Sequence, residues 1–206
     1  METSTLIYFL AASVVLTVAP GPDNIYLLTK SIADGAKSGV ALTFGLASGI
    51  IFHTFLFIVG VAALVQNSPV TFAALKFIGA AYLLYLAKKS FADNGKLKIA
   101  AQAADKTKLF ALYRRGVLMN ALNPKVLLFF LAFLPQFVDM TKESYPWQIA
   151  LLGFVFAVQT IVIFSLIAVG AGKVRSFILR RKNFGKIIAK TQGVVLTVIA
   201  LMLLIG

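Results

Sequence analysis

Two short stretches put groups capable of ionic chemistry where an apolar chain tolerates them least: "APGPDN", residues 19–24, and "NALNPKVLLFF", residues 120–130. Each combines a helix breaker with a charge. Proline has no backbone donor and clashes with the preceding turn, so Pro20, Pro22 and Pro124 leave carbonyls of the turn before them without their helical partners. The segment restarting after each break presents free N–H groups and the positive end of a half-helix dipole, which suits a carboxylate. Exposed carbonyls and the Asp23 side chain suit an ammonium group. Together these complement the two poles of an amino-acid zwitterion. Pro20, Gly21, Pro22, Asp23 and Asn24 in the first stretch, with Asn120, Asn123, Pro124 and Lys125 in the second, are therefore the candidate binding residues. Asn120 lies one turn before Pro124 and is placed to satisfy carbonyls that the break exposes.

The surroundings explain why such a site is notable. Of 206 residues, 60% are hydrophobic and only 13% charged, against about 25% charged in ordinary soluble domains. Mean hydropathy is +0.91. The apolar residues fall into six blocks, Leu6–Leu28, Val40–Val65, Val70–Ala87, Gly116–Val138, Trp147–Gly170 and Ile187–Gly206. Each is near the roughly 20 residues that a helix needs to cross a bilayer. None shows the two-residue alternation of a membrane β-barrel, so the expected fold is an all-α membrane protein with six transmembrane helices. The first block has no basic n-region and no small-residue cleavage pattern, and is read as a retained helix.

Net charge is +13, and its placement excludes a nucleic-acid partner. Seventeen of the twenty Lys and Arg residues lie in or beside three alternate loops: Lys30 and Lys37, then Lys88 to Arg115, then Lys173 to Lys190. The intervening loops contain only Lys142. By the positive-inside rule the basic loops are cytoplasmic and both termini are outside. Attraction to anionic lipid of the bilayer is a secondary role for the same charges. The absence of cysteine removes disulfides, thiol redox chemistry and thiolate metal sites.

The central basic loop divides the chain into a first three-helix repeat, residues 1–87, a loop, 88–115, and a second three-helix repeat, 116–206. Three spans per half require the second half to enter from the opposite side. This is the plan of a 3+3 inverted-topology repeat, common among secondary transporters. By helix rise the two breaks reach similar depth.

"APGPDN", "GAAYLLYLAKKSF" and "NPKVLLFFLAFLPQFV" together resemble the lysine-exporter (LysE) superfamily, in particular its homoserine/threonine-exporter (RhtB-type) branch. The resemblance spans essentially the whole chain. It implies a multi-pass exporter of amino acids or close derivatives in the bacterial inner membrane, driven by proton antiport, with no cofactor. It leaves the substrate open, and a homo-oligomer is compatible with it. Some relatives in the wider superfamily move metal ions, which makes a metal-cation exporter the main alternative.

Two further polar residues lie within the apolar blocks. His53 shares a helix face with Gly45, Gly49 and Gly60, where it can bond a neighbouring helix or relay protons. Gln159 is open to both readings. Ser48 and His53 do not make a hydrolase: five residues apart, they point about 140° from each other on a helix. No enzyme activity is expected. A channel or scaffold accounts less well for two asymmetric breaks.

Overall fold

A computed structural model describes residues 2–19, 21–61, 69–93, 108–180 and 184–205. All of the regular structure among them is helical. Helix α1, Thr3–Val18, is followed across Ala19–Gly21 by α2, Pro22–Asp34, and the two axes are bent by 60°. Helix α3 is Ala36–Leu56, prolonged by a wide π turn over Phe57–Val61. Helices α4, Pro69–Ala92, and α5, Leu109–Ala121, come next. After a break at Leu122–Asn123, α6 runs over Pro124–Leu128 and continues through a π segment, Phe129–Phe133, and a 3-10 turn, Leu134–Phe137. Helices α7, Tyr145–Arg180, and α8, Phe184–Ile205, complete the fold.

Apart from the breaks and the block ends, the described residues of the six apolar blocks are helical, and several helices outrun the blocks. Lys88–Ala92 and Leu109–Arg115, read from sequence as loop, are helical, as is the stretch after Gly170 to Arg180. Three described helices are long and apolar enough to cross a membrane, four if the bent α1–α2 pair is one span. Large apolar side chains such as Ile51, Phe55, Phe154, Val162 and Leu166 are more than half exposed. In water such a surface is an aggregation hazard; in a bilayer it is the lipid-facing side.

Helix α3 is central and packs against both α5 and α7, while α4 packs against α8 at the side. Small residues make the α3–α5 contact close. A methyl group at Gly45 would collide with the Tyr113 carbonyl, and one at Gly49 would lie 2.7 Å from Asn120 Oδ1. Gly60, expected on the same contact, has nothing within 4 Å of where its Cβ would stand. The contact ends before the π turn that contains Gly60, so this glycine is not part of it.

Two apolar clusters flank the breaks. One gathers Phe9, Leu16, Ile50, Phe57, Val126, Phe129, Phe130 and Phe156. Its rings pack both stacked, as in Phe130–Phe156, and edge-on, as in Phe129–Phe156 with centroids 5.2 Å apart. The other gathers Leu27, Leu42, Leu46, Phe164 and Ala168. Along α1–α2 and again along α7, the polar residues stand in sequence between members of the two clusters.

Candidate functional site

Both breaks restart in the same way. Gly21 precedes α2 and Asn123 precedes α6, and each helix begins with proline, Pro22 or Pro124. Proline suits that position because its missing N–H would have no helical partner there. The charged residue follows immediately in both cases, Asp23 in α2 and Lys125 in α6. Pro20 lies outside the described residues.

The orphaned carbonyls of each break are taken by side chains from elsewhere in the fold. In an unbroken helix the Leu16 carbonyl would accept from residue 20, a proline without a donor, and that of Ala19 would accept from residue 23, beyond the break. Lys125 Nζ donates to both instead, at 2.9 Å and 3.0 Å. Asn24 Nδ2 donates to the Thr17 carbonyl at 2.8 Å. At the second break the Asn120 carbonyl would accept from residue 124, again proline. His53 Nε2 donates to it at 3.0 Å, as does the Asn123 backbone N–H at 2.8 Å. Because a carbonyl only accepts, this bond fixes the neutral His53 tautomer with its proton on Nε2. Its ring stacks on Phe130, with centroids 5.7 Å apart.

Asn123 ties the breaks together. Its Oδ1 caps α6 by accepting from the Lys125 backbone N–H at 3.0 Å, and its Nδ2 donates to Asp23 Oδ2 at 2.6 Å. The Asn120 side chain borders the same cavity as that carboxylate. Asn120 was expected to satisfy carbonyls exposed by the break; it is its own carbonyl that is satisfied there, by His53 and the Asn123 N–H. Asp23, Asn120, Asn123 and Lys125 are all buried, at 5%, 2%, 4% and 7% exposure.

Asp23 and Lys125 do not pair directly. Among the described residues the ion pairs within 4.0 Å are Lys30–Asp34 and Lys142–Asp139. The two buried charges instead line one cavity of about 20 Å³ together with Leu16, Thr17, Asn24, Ile50, Asn120, Val126, Phe156, Thr160 and Phe164. That volume suits one water molecule. It is far below the roughly 300 Å³ at which small-molecule pockets begin, so the helices must part to admit a larger ligand.

The structure brings together Gly21, Asp23, Asn24, Asn120, Asn123 and Lys125, with His53 behind Asn120. Gln159 joins through Thr17: its Nε2 donates to Thr17 Oγ1 at 2.7 Å and to Thr160 Oγ1 at 3.0 Å. Thr17, Thr160 and the apolar wall of Ile50, Phe156 and Phe164 were missed in the sequence. A hydroxyl one turn before a break is a usable signal for Thr17, whereas the wall residues resemble any other core positions. Ser48 bonds the Phe44 carbonyl and the Tyr113 hydroxyl, with His53 turned to Asn120.

Described residues whose regular structure is helical, with apolar side chains exposed to lipid and two broken helices joined around buried opposite charges, fit a multi-pass membrane protein. A family model described as LysE type translocator matches residues 14–206, and the chain belongs to the LysE family. It is 32% identical over 172 residues to a protein of Vibrio cholerae serotype O1 named uncharacterized membrane protein, covering 83% of each chain. It is 27% identical over 179 residues to the leucine efflux proteins of Salmonella typhimurium and Salmonella typhi, covering 87% of this chain and 84% of theirs. No solved structure matches the chain significantly.

Proposed function

We propose that this protein exports neutral amino acids with apolar side chains across the bacterial inner membrane by proton antiport. The observation that carries the reading is the cavity where the two breaks meet. It holds one buried anion and one buried cation at its polar end, and Leu16, Ile50, Val126, Phe156 and Phe164 along its apolar wall. An amino acid with an aliphatic side chain has the same division of polarity. The Salmonella relatives named leucine efflux proteins support that choice of cargo.

The pairing of elements supports a six-span, 3+3 inverted repeat. The first members of the two halves, α1–α2 and α5–α6, are stitched at their breaks; the second members, α3 and α7, pack together, as do the third, α4 and α8. In this arrangement the apolar clusters on either side of the polar layer are the two closures of an alternating-access cycle. Substrate binds from the cytoplasm while Asp23 is ionised. Rocking of the halves opens the outer cluster, protonation of Asp23 favours release, and the protonated form returns.

A metal cation is the alternative cargo. Among the described residues no group of three His, Cys, Asp or Glu side chains could hold one, and the Lys125 ammonium in the cavity repels cations. The test is uptake of radiolabelled amino acids by inverted vesicles with and without an imposed pH gradient. Leucine or a similar neutral amino acid accumulates only with the gradient. If overproduction instead protects cells solely against cadmium or another metal cation, the amino-acid reading fails.

A further inference from the structure

The two buried charges of the cavity form no direct ion pair, and each has bonding capacity left. Lys125 carries three N–H donors and uses two, on the Leu16 and Ala19 carbonyls. Asp23 receives Asn123 on Oδ2. Beside it, Asn24 has spent its Nδ2 on the Thr17 carbonyl, and its Oδ1 is buried without a partner. Because a carbonyl must receive a donor, the Asn24 amide cannot be flipped, and Oδ1 is a true unpaired acceptor. At Gly21 a Cβ would stand 3.4 Å from Lys125 Nζ and 3.7 Å from Asn24 Oδ1, so these groups face each other's neighbourhood across the one residue that has no side chain.

From this geometry we infer that the substrate is read as a zwitterion in one fixed orientation. Its α-carboxylate accepts the third N–H of Lys125, and its α-ammonium donates to Asp23 and to Asn24 Oδ1. The inference rests on the amino-acid reading of the same site and adds which charge binds where. The carbonyls freed by the first break do not receive the substrate; they hold Lys125 in place so that it can. A lysine whose ammonium is already fixed at two points offers its remaining donor in a defined direction. A ligand lacking a carboxylate leaves that donor without a charged acceptor. The same logic at Asp23 rejects a ligand whose amine is blocked. Gly21 is then a specificity position, since any side chain there covers the free donor.

The experiment measures binding of leucine, leucinamide and N-acetylleucine to the purified full chain by ligand-induced thermal shift in detergent. The unmodified protein binds leucine at least about tenfold tighter than either blocked analogue, as loss of one charge-assisted contact implies. In Lys125→Gln the preference for leucine over leucinamide disappears while that over N-acetylleucine persists. Asp23→Asn gives the opposite pattern. Gly21→Ala, whose methyl fits at ordinary contact distance and whose backbone is extended, φ −157°, leaves the carbonyl bonds of Lys125 intact. It reproduces the Lys125→Gln pattern and serves if that variant does not fold. If leucine binds but Lys125→Gln and Gly21→Ala retain the full preference over leucinamide, the orientation is wrong and the amino-acid reading stands. If the unmodified protein binds no leucine, both fall.

Discussion

Asp23 and Lys125 stand at the same position of two restarted helices, yet they meet different needs. Lys125 replaces the backbone donors that residues 20 and 23 cannot supply, whereas Asp23 accepts the Asn123 side-chain amide. Opposite charges at two adjoining breaks would ordinarily pair, because an unpaired charge in a membrane is costly by a few kcal/mol. The fold lowers that cost with carbonyl and amide partners instead. On the proposed antiport, proton exchange falls to Asp23, while His53 satisfies a carbonyl, and two substitutions separate these roles. Asn in place of Asp23 still accepts from Asn123 but cannot exchange a proton; Gln in place of His53 still donates to the Asn120 carbonyl. In vesicles, Asp23→Asn is expected to bind leucine more weakly yet measurably and to lose all accumulation driven by the pH gradient. His53→Gln keeps that accumulation within about twofold, since its bond is retained and an ordinary hydrogen bond is worth only about 1 kcal/mol net. PH-dependent accumulation that survives Asp23→Asn and vanishes in His53→Gln would move the proton site to α3.

At the scale of elements, the α3–α5 contact positions Asn120 and hence the second break. In lipid the association of helices depends on van der Waals packing, which small residues bring close. Gly45 lies against the Tyr113 carbonyl and Gly116 of α5, both backbone and unable to move aside. Gly45→Ala is expected to lower the thermal midpoint in detergent by an amount corresponding to about 1–3 kcal/mol, the range for overpacking a close contact. Gly60→Ala, with open space around it, leaves the midpoint unchanged within error. Equal behaviour of the two variants would mean that the helices do not approach as described.

At the scale of the whole molecule, the six-span reading and its orientation rest on charge. Lys and Arg crowd three alternate loops and nearly desert the others, and the cytoplasmic side retains such residues. Reporter fusions after Asn67 and Glu143 are expected to signal the exterior, and fusions within residues 95–106 the cytoplasm. An interior signal from the fusion at Glu143 would overturn the orientation and, with it, the direction of transport.

Sequence alone determined the solvent, the helical class and the two breaks. Hydrophobic blocks of bilayer length leave no other way to satisfy the backbone, and proline removes a donor wherever it stands. It also determined which residues are too polar for their surroundings, and every described member of that set is buried or lies within a few bonds of the joined breaks. What it did not contain was the identity of each partner. A missing helical donor says that a carbonyl needs a bond, but Lys125 is 109 residues from Leu16 and His53 is 67 from Asn120. Only the packing of α3 against α5, and of α6 against the first break, brings those donors within reach. The same packing decided that Asp23 and Lys125 share a cavity without touching, because side-chain length and direction, not charge alone, select the nearest acceptor.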